Sequence, residues 1–179
     1  EDKLIKSIKT IEEKQIDACS SSVLAFWEDG KEMILQKAQP QVKYDHLFEA
    51  AGPGCTYVIS QKLSNDLKEF MLQNWEQINQ IDLHDWLIYA YSRENDYKWH
   101  INQIPTMRYR QHTLNQVGAN DGFEAKIKRL KLVFSSWYRD ETKKIIKVLN
   151  LEDKYKFSKY ILNKSYLNNI FLAVYVFDF

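Results

Sequence analysis

Three short runs in this 179-residue chain hold side chains that could do chemistry. The first is Gly52-Pro53-Gly54-Cys55. Glycine on both sides of a proline lets a backbone approach a ligand closely and turn its N–H groups outward. The same residues also make an ordinary tight turn into a strand. The second run is His84-Asp85-Trp86. A carboxylate at the start of a helix suits the positive end of the helix dipole, so Asp85 can be a first-turn or capping residue. It can equally serve as a general base, which needs a carboxylate held within reach of the proton it removes. Trp86 offers an apolar face of the kind sugars stack on. The third run is Tyr109-Arg110-Gln111-His112, followed by Asn115 and Gly118. In an extended segment Arg110 and His112 fall on one side. Arginine can grip a phosphate bidentately, and histidine binds divalent metals. A polar surface loop is the plainer reading of the same residues.

Other chemistries find no support. The histidines at 46, 84, 100 and 112 lack paired metal-ligand spacing, and there is no CxxC. The sequence contains no GxSxG, GxGxxG or GxxxxGK[ST].

The elements that must hold these runs are readable from periodicity. Residues 2–14 place Leu4, Ile5, Ile8 and Ile11 at helical spacing, which predicts an amphipathic helix. Residues 17–27 read as one strand, closed by the turn Glu28-Asp29-Gly30-Lys31. A short helix over 46–51 stops at the glycine loop, and Cys55–Ser60 reads as a short buried strand. A helix is expected over 62–75, capped by Ser64 or Asn65, and another over 84–92, capped by Asp82. A strand follows over 97–104, then a short extended segment over 107–110 and a polar loop over 111–122. Beyond it the pattern is helical, with Ile127, Leu130, Phe134 and Trp137 on one face, and with further helices over 142–150 and 155–163.

Composition fits a globular domain, with 45% apolar residues, 14% aromatic residues, five glycines and three prolines. The net charge of +1 argues against a dedicated nucleic-acid binder. It conceals a split: residues 124–179 carry 12 Lys/Arg against 6 Asp/Glu, and the rest carry 13 against 18. Cys19 and Cys55, far apart and alone, are expected to be reduced thiols of a cytoplasmic protein. No signal peptide is visible, and no run approaches the roughly 18–20 apolar residues that span a bilayer. We divide the chain into a mixed α/β part, 1–122, and a basic helical tail, 123–179.

None of the three runs is decisive alone, but their order and spacing are specific. DHLFEAAGPGCTYVIS, then LHDWLIYAYS, then PTMRYRQHTLNQVGAN resembles the bacterial family-2 glycosyltransferases that include rhamnosyltransferases of surface-polysaccharide synthesis. The resemblance covers about residues 1–122. It implies an α/β fold, the acceptor-side, C-terminal part of a GT-A-type mixed sheet with helices, followed by the helical tail. It further implies inverting transfer from a nucleotide-diphosphate sugar, dTDP-rhamnose by analogy, to a saccharide or lipid-linked glycan. Carried over by position, Asp85 is the catalytic base. Gly52, Pro53 and Gly54 lie beside donor and acceptor, and His84 and Trp86 shape the acceptor site. Arg110 and Asn115 belong to the donor-binding segment, and His112 helps hold a divalent cation, Mg or Mn.

The chain departs from that family pattern in one respect. Such enzymes hold most of the nucleotide and metal contacts in a βαβ half ending in Asp-x-Asp, and this sequence contains no Asp-x-Asp. On ordinary domain sizes roughly ninety residues of such an enzyme are expected ahead of Glu1, and this chain alone is expected not to turn over. The expected partners are the nucleotide sugar, its glycan acceptor and, through the basic tail, an anionic membrane surface at the cytoplasmic face. No nucleic-acid partner is expected. The competing reading is a non-catalytic glycan- or partner-binding domain derived from such an enzyme.

Overall fold

The computed structural model describes residues 2–36, 41–111 and 137–163. Helix α1 spans Lys3–Lys14. It leads into two consecutive strands, β1 (Ala18–Ser21) and β2 (Val23–Phe26), where the sequence predicts one. Ser22, fully buried, is the break that hands the chain from one sheet to the other. In the first sheet β1 pairs antiparallel with β4 (Val58–Ile59) and parallel with β5 (Trp99–Asn102). In the second, β2 pairs antiparallel with β3 (Glu32–Leu35) and parallel with β6 (Arg108–Arg110). The result is a mixed α/β fold built on two small mixed sheets, the class expected for the acceptor-side part of a GT-A-type domain. The parallel pairs need long crossovers. The connection from β1 to β5 carries the helices α2 (Gln61–Gln73), α3 (Trp75–Ile78) and α4 (His84–Glu94).

Helix α2 starts one residue earlier than its apolar pattern suggests. Ser60, not Ser64 or Asn65, caps it by accepting the Leu63 N–H at 3.2 Å. The position before α4 is likewise corrected. Asp82 does not cap that helix; its carboxylate accepts the Trp137 indole N–H at 2.7 Å. The expected short helix at 46–51 is a single 3-10 turn over Asp45–Leu47, and residues Gly54–Thr56 form another where a strand is predicted.

The core lies where α2 and α4 cover the first sheet. Ala18, Ala51, Leu63, Leu67, Tyr89, Tyr91 and Trp99 are buried together. Tyr89 and Tyr57 meet the Trp99 ring edge-on, at 5.2 and 4.7 Å, a geometry that aligns ring edge with ring face. The boundary at 122/123 falls outside the described residues. The described later stretch forms α5 (Trp137–Val148) and α6 (Ser158–Leu162). Ile145 of α5 packs with Trp86 and Ala90, Val148 with Leu87 and Ile78, and Ile146 with Leu47, Phe157 and Ile161. Glu141, also fully buried, accepts the Asp82 N–H at 2.9 Å and is paired with Lys144. Helix α5 therefore closes the outer side of α4 and grips the turn before it. Among the described residues no helix is long and apolar enough to cross a membrane.

Candidate active site

The glycine loop is stapled to the first sheet before it reaches any ligand. Ser20 Oγ donates to the Ala51 carbonyl at 2.6 Å and accepts the Trp99 indole N–H at 3.0 Å. Thr56 Oγ1 donates to the Pro53 carbonyl at 2.8 Å and accepts the Ser21 N–H at 3.2 Å. Between these anchors Gly52 adopts φ 110°, a left-handed conformation that suits glycine. Pro53 then extends, and Gly54 opens the 3-10 turn.

This path brings the loop against the first turn of α4. The Gly54 N–H donates to Asp85 Oδ2 at 3.2 Å, and the Trp86 N–H donates to Asp85 Oδ1 at 2.9 Å. Each carboxylate oxygen thus accepts one backbone N–H and keeps further acceptor capacity. Asp85 is half-buried, so the carboxylate is held yet reachable. At Gly54 it is this close approach, and not the backbone angle, that requires glycine. A Cβ on Gly54 would stand 2.9 Å from Asp85 Cβ, where real Cβ atoms do not go.

Several side chains sit in the field of that carboxylate. Burial pushes the Tyr57 hydroxyl well above its ordinary value, and the Asp85 charge adds to it. Tyr109 is raised by burial, then by Cys55 and Asp85. The exposed Cys55 thiol is raised chiefly by burial of part of its surroundings, against the opposing charge of Lys3, with Asp85 a smaller contribution. Lys3 of α1 donates its ammonium to the Cys55 carbonyl at 2.6 Å, which brings a cation to the rim of the loop.

The sequence-derived site residues divide accordingly. Gly52, Pro53, Gly54 and Asp85 meet in one place. His84 is exposed beside Asp85. Trp86 is only 2% exposed, and its indole N–H donates to the His46 carbonyl at 3.0 Å. Its ring belongs to the core, so in this structure it anchors α4 and offers no face for a sugar to stack on. Arg110 is exposed and pairs with Glu28 at 2.6 Å. Strand alternation puts Arg110 on the opposite face of β6 from Tyr109, and Tyr109 is the one in the field of Asp85. His112 and Asn115 lie outside the described residues. Among the described residues no three His, Cys, Asp or Glu side chains gather as a metal would require.

Sequence reasoning missed Tyr109 and Lys3. Period-two alternation through Tyr109-Arg110-Gln111 was the available signal for Tyr109, since only one face of a strand can look at Asp85. Nothing local marks Lys3, whose role depends on a contact 52 residues away.

The chain is similar to the dTDP-rhamnosyl transferase RfbG of Shigella flexneri, with 42% identity over 173 residues, 97% of this chain. It spans 59% of the length of that relative. No family model matches the chain, and no solved structure matches it.

Proposed function

We propose that this chain supplies the acceptor side of an inverting, family-2-type glycosyltransferase of surface-polysaccharide synthesis, with Asp85 as its general base. The observation that carries this reading is the Asp85 carboxylate itself, half-buried and fixed by the Gly54 and Trp86 N–H groups. In the reaction an acceptor hydroxyl gives its proton to Asp85. Its oxygen forms a bond to the anomeric carbon as the bond to the nucleotide diphosphate breaks. The diphosphate leaves with the electron pair, and the anomeric configuration inverts. Pre-positioning the carboxylate lowers the barrier by removing the cost of orienting base and hydroxyl at the moment of reaction.

The donor in this reading is dTDP-rhamnose, suggested by the name of the Shigella relative. The acceptor is a saccharide or lipid-linked glycan, met at the cytoplasmic face of a membrane. A divalent cation, held in part by His112 in this reading, would offset the charge growing on the departing diphosphate. Asp85→Asn keeps one acceptor oxygen for the two backbone N–H groups but removes the base. In the full-length protein this variant is expected to lose transfer by a factor of at least about 10² while binding the nucleotide sugar as before. Turnover comparable with the parent protein would refute the assignment.

A further inference from the structure

Behind α4 lies a cluster of buried ionisable groups that the reaction above does not use. The turn Asp45–Leu47 reaches the helix at four places. Its His46 carbonyl accepts the Trp86 indole N–H at 3.0 Å. Asp45 accepts the Tyr89 hydroxyl at 2.6 Å and the Arg93 guanidinium at 3.0 Å. The His46 ring meets Glu94 through Nε2 at 2.6 Å, while Nδ1 stands 3.5 Å from Asp45 Oδ1. Positions 86, 89, 93 and 94 lie toward one side of the helix, so two consecutive turn residues hold α4 from its first turn to its last.

The turn's hold on α4 reaches Asp85 through Trp86, whose indole N–H donates to the His46 carbonyl and whose backbone N–H donates to Asp85 Oδ1. Eight residues after His46 comes Gly54, whose N–H meets Asp85. The carboxylate is therefore held by a residue tied to the turn on one side and by the glycine loop on the other, and the 2.9 Å limit between a Gly54 Cβ and Asp85 Cβ shows how little slack the second contact has. A side chain wedged between Asp45 and Glu94, with only 4% of its surface exposed, is a costly thing to bury without a purpose.

We infer that His46 is a positioning residue for Asp85: by bridging Asp45 and Glu94 it locks α4 against the glycine loop and so sets the aim of the catalytic carboxylate. This inference rests on the reading of Asp85 as base. The charges facing the ring are Asp45 beside it, Glu94 and Arg93 on α4, and Lys154 on the segment before α6, whose ammonium reaches Glu94 at 2.6 Å. Tyr155 also donates to Glu94, at 2.8 Å. Burial alone would push the imidazole down, but the two carboxylates outweigh it and hold it above its ordinary value. Burial would push Glu94 up, but His46, Lys154 and Tyr155 hold it at about 2. The charged bridge is therefore complete below the ordinary histidine value and dissolves as pH rises through the raised one.

The test uses the full-length protein, with dTDP-rhamnose as donor probe and a lipid extract of the source cells as acceptor. His46→Ala is expected to lower kcat by about tenfold or more while leaving the donor KM within about twofold, since a misaimed base slows the chemical step only. His46→Gln, whose amide can still donate to Glu94, is expected to recover most of the loss. It also carries the test if His46→Ala does not fold. Adding His46→Ala to Asp85→Asn is expected to cost nothing further, because His46 acts only through Asp85. An NMR readout separates the clamp from the base. The Trp86 indole N–H resonance, assigned with Trp86→Phe, is expected to move as pH rises above about 6.5 and to stay fixed in His46→Gln. A kcat unchanged in His46→Ala, or losses that simply add to those of Asp85→Asn, would overturn the inference. Full turnover by Asp85→Asn would sink the base reading instead, and an indole resonance indifferent to His46 would then dispose of the clamp on its own.

Discussion

Helices α1 and α4 are built from opposite logic. Helix α4 buries its large side chains and satisfies its polar ones: Trp86, Leu87, Tyr89 and Ala90 are essentially inaccessible, while Trp86, Tyr89, Arg93 and Glu94 all bond to the turn at 45–46. Helix α1 turns its apolar stripe outward, with Leu4 at 60%, Ile5 at 69% and Ile8 at 49% exposure. Its inner face is polar and small. Ser7 is buried, its carbonyl meets the Cys19 thiol at 3.8 Å, and Lys3 reaches over to Cys55. An amphipathic pattern establishes that a segment is helical, but not which face the rest of the chain will cover. In α1 the buried contact runs through Ser7, whose small side chain lets the helix lie close on β1 at Cys19. Among the described residues the buried side-chain contacts are therefore concentrated around α4, where the candidate base sits, and not around α1.

The most direct way to break that contrast is to empty the centre of the α4 side. Trp86→Ala removes a ring held between Ala90 and Ile145 and leaves the His46 carbonyl without its buried donor. The expected cost is about 3–5 kcal/mol, read as a lower urea midpoint. A cost near that of a surface substitution would mean that α4 is not the anchored element described above.

A smaller effect is expected where the loop touches the helix. Gly54→Ala places a Cβ 2.9 Å from Asp85 Cβ, against a helix start that cannot withdraw. The expected loss is about 1–3 kcal/mol. The same substitution in an Asp85→Gly background should cost clearly less, because the atom it strikes is gone. Equal costs in the two backgrounds would place the strain somewhere other than this contact.

How much of this was legible beforehand follows the range of the interactions. The glycine loop and Asp85 are visible as residue types in a recognisable order, and the structure places them in contact. Helix α2 is legible because Leu63, Leu67, Phe70 and Met71 recur on one face, and α4 as an unbroken apolar and aromatic run after His84-Asp85. The split of residues 17–27 into two strands at Ser22 is not legible, since the break is set by which neighbour each half pairs with. Trp86 reads as a ligand face until α5 is seen to cover it, and that contact spans 59 residues of sequence. His46 carries no spacing signal at all. Its partners Glu94 and Trp86 are 48 and 40 positions away, and only the folded turn makes them neighbours.

The smallest expected effect sharpens the comparison from the other side. If the apolar stripe of α1 does no work in holding this chain together, replacing it should hardly be felt. Leu4→Ser, Ile5→Ser and Ile8→Ser each remove apolar surface that is already about half or more in water. Each should change unfolding stability by no more than about 0.5 kcal/mol, apart from the modest helix-propensity difference of serine. Urea unfolding of the three single variants measures this directly. The burial seen at Ser7 supplies the reason: the inward contacts of α1 run through the residues between the stripe, and the substitutions leave those untouched. A loss of 2 kcal/mol or more in any of the three, roughly what burying such a side chain is worth, would show that the stripe is covered when the protein folds, and the contrast between the two helices would disappear.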